Sequence, residues 1–213
     1  MNKMLTQTVL TGVSLLAMAA SIQAQVITSN LDQISSPTIG SGTLGTVTLT
    51  QNGANEVDVA VALAGSTAFV STGGPHNAFV FNDNLTSAFN VAITSPTGGF
   101  FALGGTGVSN TPFGTFSIGI DCPGCGPGAS NANSGPLDFT VTDSSGISVS
   151  NLFQQNSSGN YFSADVIGPA GGTGNIAANS GTLQAPEMDS STAAGGLTLL
   201  LGGLAVLRGR RRS

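Results

Sequence analysis

The sequence predicts an all-β protein, an antiparallel β-sandwich of about 8–10 short strands, with an N-terminal signal helix and a single C-terminal transmembrane helix. Three observations carry this. Short runs rich in Val, Ile, Phe and Thr are separated by Gly, Pro, Asn and Ser. No helical period long enough for a parallel β-α-β crossover lies between them. Eleven Phe are spread through a body with almost no charge, and they supply its natural core.

The elements follow in order. Lys3 and an apolar stretch at residues 9–20 precede Ile22-Gln23-Ala24. This is the pattern of a secretory signal peptide over residues 1–24, cleaved after Ala24. The apolar run is too short to span a bilayer comfortably. Residues 25–168 have the size of one domain and are expected to form the sandwich.

Within that body, residues 46–51 (TVTLTQ) alternate apolar and polar, and Asn52-Gly53 follows as a hairpin turn pair. Residues 56–64 (EVDVAVALA) alternate again, with Glu56 and Asp58 on one face. Further strands are expected at 78–82, 89–94, 99–103, 116–121, 137–143, 147–153 and 161–167. Residues 104–114 and 123–136 read as long loops. Residues 169–185 read as a flexible stem.

Charge excludes several functions. No Lys or Arg occurs between Lys3 and Arg208, while Asp32, Glu56, Asp58, Asp83, Asp121, Asp138, Asp143 and Asp165 are all acidic. Nucleic-acid binding needs cations to neutralise phosphate, and this body has none. Anionic lipid head groups are excluded for the same reason.

Chemistry-bearing residues are sparse. Cys122-Pro123-Gly124-Cys125 is the only cysteine pair. It follows an expected strand and precedes Gly126-Pro127-Gly128, so it is expected to be a disulfide loop staple rather than a redox motif opening a helix. His76, the only histidine, lies in a Gly-Pro turn, and no G-x-S-x-G accompanies it. The carboxylates could form an acid/base pair for glycoside hydrolysis, but Glu56 and Asp58 read better as a solvated sheet face. Asn82-Asp83-Asn84 and Asp121 are oxygen donors of the kind Ca²⁺ accepts, without the spacing of a calcium loop. No catalytic residue, metal site or cofactor is expected.

The tail carries the strongest signal. Ala185-Pro186-Glu187-Met188 precedes an apolar run at residues 193–207, followed by Arg208, Arg210, Arg211 and Arg212. Extended back to about residue 190, the helix approaches membrane length, and the arginines act as a basic stop-transfer cluster that holds the C-terminus in the cytoplasm. Pro186 and Glu187, the short spacer, the Gly/Ala/Leu-rich helix and the Arg-rich end together resemble the PEP-CTERM sorting domain of exported bacterial proteins. Met188 departs from the Pro of the name-giving motif. The resemblance covers residues 185–212. It implies an exosortase-like membrane enzyme as partner and processing near Pro186, Glu187 and Met188.

The sequence therefore points to an exported protein, transiently anchored in the lipid bilayer by its C-terminal helix and then found at the cell surface or in an exopolysaccharide matrix. Its expected role is non-enzymatic, structural or glycan-contacting. The alternatives are a secreted hydrolase using carboxylates or His76, and an adhesive or ice-binding module. Flat Thr arrays would mark the last, and Thr46, Thr48 and Thr50 make one short row along the sequence.

Overall fold

The computed structural model describes residues 24–72, 77–96, 99–125 and 128–184. These residues build two antiparallel sheets. The first has six strands in the order β14 (Thr182–Gln184), β1 (Val26–Asn30), β3 (Gly45–Gln51), β4 (Glu56–Leu63), β11 (Leu137–Thr142) and β7 (Asn90–Ile93). The second begins with β2 (Gln33–Ile34), β13 (Thr173–Ala178) and β12 (Phe162–Ile167). The far edge of β12 is then shared. Its first half pairs with β6 (Phe79–Phe81), which continues to β9 (Thr115–Asp121) and β8 (Ala102–Ser109). Its second half pairs with β5 (Ala68–Ser71), which continues to β10 (Gly128–Asn133).

Strand alternation sets which side chains turn inward. Val47 and Leu49, then Val57, Val59 and Val61, then Leu137, Phe139 and Val141 are buried on one face of the first sheet. The second sheet supplies Phe79, Phe81 and Phe162. Phe139 bridges the two layers, with its ring 5.4 Å from Phe81 and 6.1 Å from Phe79. Phe79 in turn stacks on Phe162 at 6.0 Å. The aromatic residues expected to form the core thus meet in one seam between the sheets.

The strands expected at 46–51, 56–64, 78–82, 89–94, 116–121, 137–143 and 161–167 are present within a residue or two of their expected bounds. Elsewhere the structure differs. Within residues 147–153 the structure has a short helix, α1 (Val149–Leu152), with Ser148 at its N-cap and the Asn151 side chain reaching back to it: the Ser148 backbone N–H donates to Asn151 Oδ1 at 2.8 Å. The Gly-rich stretch after Leu103 is strand through Ser109, not loop. Residues 123–136 contain a 3-10 turn (Pro123–Cys125) and β10. Of the expected stem at 169–185, residues 173–178 and 182–184 are β13 and β14, strands of the two sheets. The Asn52-Gly53 turn is longer than a two-residue hairpin. Only Gly53 has positive φ (83°), whereas a type I′ turn needs it at both central residues. Fourteen strands in all are present among the described residues.

Gln184 pairs with Val26, so the chain enters and leaves the body at one corner of the first sheet. Among the described residues no helix is long and apolar enough to cross a membrane. The expected signal helix (only Ala24 of it is described), Pro186, Glu187, Met188, the transmembrane helix at 190–207, Arg208, Arg210, Arg211 and Arg212 lie outside the described residues, as does His76.

Replacing Phe139 by Ala is expected to lower the unfolding free energy by about 3–5 kcal/mol, because the ring is fully buried between the layers. Urea denaturation checks this. A loss under about 1 kcal/mol, the size of an average surface or partly buried change, would remove Phe139 from the seam.

Candidate functional site

The polar face of the first sheet is the outcome of the same alternation. With Val and Leu turned inward, β3 presents Thr46, Thr48 and Thr50 outward, β4 presents Glu56, Asp58, Ala60 and Ala62, and β11 presents Asp138, Thr140 and Thr142. Register arranges these in rows. Thr48, Ala60 and Asp138 lie side by side across three strands, and Thr50, Asp58 and Thr140 form the adjacent row. Ala60 is the small residue between two larger ones. A depression of about 390 Å³ opens there, lined by Thr48, Thr50, Asp58, Ala60, Thr94, Asp138 and Thr140.

The two carboxylates in it are treated differently. Asp58 is held: Thr140 Oγ1 donates to Oδ1 at 2.8 Å and Asn52 Nδ2 donates to Oδ2 at 3.2 Å. Asn52 Nδ2 also donates to Glu56 Oε1 at 2.5 Å. Asp138 is fixed through its backbone, whose N–H donates to Ser95 Oγ at 2.8 Å. Its carboxylate accepts no hydrogen bond from the described residues, and partial burial raises its pKa above the ordinary aspartate value. A desolvated carboxylate without a donor, in a depression, is a place where a ligand's donors would be favoured.

Asp58 and Asp138 are diagonal neighbours on one sheet face, their Cα atoms about 7–8 Å apart by strand geometry. Glycoside hydrolysis uses a pair of carboxylates. Such a pair, however, must flank the scissile bond, and these two project side by side from one surface rather than facing each other across a cleft. What the face offers chemically is hydrogen bonding: threonine hydroxyls that donate and accept, and carboxylates that accept.

The threonine row is longer than one strand. Thr28 on β1 pairs with Thr48 on one side and with Thr182 on the other, so a row of three crosses β14, β1 and β3.

The other expected sites resolve individually. Glu56 and Asp58 do share the solvated face. Cys122 and Cys125 are disulfide-bonded, and both are buried, as fits a staple. Asp83 and Asp121 are not brought together, because antiparallel pairing of β6 with β9 puts them at opposite ends of the ladder. The oxygens beside Asp83 are already used: Asn82 Oδ1 accepts from Ser117 N at 3.1 Å, Asp83 Oδ1 from Leu85 N at 3.0 Å, and Asn84 Oδ1 from Asn151 Nδ2 at 2.8 Å. Among the described residues no group of three or more His, Cys, Asp and Glu could hold a metal ion.

Sequence reasoning did not reach Asp138 and Thr140 as partners of Asp58. The signal was their place on the polar side of an alternating strand, but the pairing of β4 with a strand some eighty residues later is a tertiary fact. Comparison with family profiles, curated proteins and solved structures finds no match.

Asp138→Asn tests the electrostatics. An aspartate whose folded pKa is raised contributes stability below its unfolded value, and that contribution is lost as pH rises through the folded pKa. The asparagine variant is therefore expected to be more stable than the parent at neutral pH, with the difference vanishing below pH 3.8. Thermal melts across this range check it. A variant less stable at neutral pH would contradict the assignment.

Proposed function

We propose that this chain is an exported protein of the cell envelope or exopolysaccharide matrix, with a non-enzymatic role. It is sorted, and cut near Pro186, by an exosortase-like membrane enzyme that reads the C-terminal segment. The observation that carries this reading is the division of charge. Four of the five Lys and Arg residues stand at the far end of the apolar tail, and the body between Lys3 and Arg208 has none. A terminal basic cluster behind an apolar helix is a membrane-orienting device. A body without cations has no means of holding nucleic acid.

The polar face of the first sheet supports glycan contact. Hydroxyls and carboxylates set in rows on a rigid sheet match the hydrogen-bonding groups of a polyhydroxylated polymer, and the depression at Asp58 and Asp138 is where a sugar unit would seat. A second reading, adhesion to a flat surface such as ice, is favoured by the Thr182-Thr28-Thr48 row.

Material recovered from the cell surface tests the proposal. Its intact mass is expected to match a chain ending near residue 186. A surface form ending at Ser213 would defeat the sorting half. The same material is expected to be pulled down by matrix polysaccharide, and Thr48→Val with Asp138→Ala is expected to weaken this several-fold. Capture no better than by a control polymer, with inhibition of ice recrystallisation instead, would replace the glycan half by the second reading.

A further inference from the structure

Asn52-Gly53 is the only Asn-Gly pair in the chain. It opens the loop between β3 and β4, where residues 52–55 are all exposed. Gly53 has φ +83°, and nothing lies within 4 Å of where a Cβ would stand. The Gly53 carbonyl accepts from Gln51 Nε2 at 2.6 Å, but its N–H has no hydrogen-bond partner among the described residues. The Asn52 amide nitrogen is the one donor that joins Glu56 and Asp58, at 2.5 and 3.2 Å.

We propose that Asn52 is a site of spontaneous deamidation, and that its conversion alters the hydrogen bonding of Asp58 in the polar depression. The Gly53 backbone nitrogen gives up its proton and bonds to Asn52 Cγ. The bond from Cγ to Nδ2 breaks, and ammonia leaves with the proton. Water then opens the cyclic imide. Opening at Cγ gives aspartate; opening at the backbone carbonyl carbon gives isoaspartate. The net change is amide plus water to carboxylate plus ammonium, with no oxidant or reductant.

Glycine is what makes the step accessible. It places no side chain in the path of the attacking nitrogen, and its N–H is not committed to a ladder. Every other asparagine in the chain is followed by a residue with a side chain. Several, including Asn110, Asn133, Asn160 and Asn175, are also buried.

The consequence is specific to this position. A donor becomes an acceptor, so three carboxylates converge where one amide had joined two. Asp58 keeps only its bond from Thr140. Isoaspartate would in addition lengthen the backbone within the turn. The reaction belongs to the folded body and does not depend on how the chain is sorted.

Ageing the purified full-length protein in mildly alkaline buffer tests this, with peptide mapping by mass spectrometry and an isoaspartyl methyltransferase assay. An acidic variant is expected to accumulate, with the change located at Asn52 several-fold faster than at any other asparagine. Asn52→Gln, which keeps an amide but requires a larger ring, is expected to leave position 52 unmodified. Asn52→Asp is expected to melt at a lower temperature than the parent at neutral pH and to regain the difference in acid, where the carboxylates are protonated. Reaction at Asn52 no faster than elsewhere would overturn the site. An Asn52→Asp variant that melts with the parent at neutral pH would overturn its coupling to Glu56 and Asp58.

Discussion

The body of this protein must fold without a single Lys or Arg. No carboxylate between Lys3 and Arg208 has a Lys or Arg beside it in that stretch of chain, and several of those in the body are met by neutral donors instead. Asp165, fully buried in β12, accepts from the Thr72 backbone N–H at 3.0 Å and from Thr72 Oγ1 at 2.6 Å. Asp143 accepts from Ser87 Oγ and from the Ser145 backbone N–H, and these bonds hold its pKa below the ordinary range. Asp58 uses Thr140 and Asn52. The abundance of Ser, Thr and Asn is thus the means by which an anionic body keeps its charges solvated by its own chain.

With ion pairs absent among the described residues, cohesion falls to burial. The seam of Phe79, Phe81, Phe139 and Phe162 holds the two sheets together, and Phe69 against Phe101 extends it at 5.3 Å. Glycine permits the second sheet to pack its polar side as tightly. A Cβ on Gly119 would stand 2.1 Å from Asn77 Oδ1, and one on Gly104 would stand 2.3 Å from the same atom, so both positions make room for one buried amide. The same face-by-face division leaves the first sheet with a dry side of Val, Leu and Phe and a wet side of Thr and carboxylate. The candidate site is the wet side.

Strands whose alternation is strict were legible from sequence: β3, β4 and β11 each place Val, Leu or Phe on one side and Thr or acid on the other. The errors have local causes. Residues 147–153 carry strand formers, yet the Ser148-to-Asn151 cap spacing turns them into a helix. Gly104, Gly105 and Gly107 read as loop, but in β8 Gly104 gives Asn77 room to approach and Gly107 supplies a backbone φ of +63°. Residues 169–185 looked like a stem because Gly and Ala dominate them. In β13 that smallness lets Ala177 and Ala178 be fully buried. The depression could not be read in advance, because Asp58 and Asp138 become neighbours only through the register of β4 on β11.

Burial and neutral hydrogen bonds hold a body of uncompensated carboxylates. Thermal melting of the folded chain at neutral pH, from low to physiological sodium chloride, tests it most directly. Screening weakens repulsion among like charges, so the midpoint is expected to rise with salt. A midpoint that falls as salt is added would mean that attractive ion pairs, and not burial with neutral donors, sustain the fold.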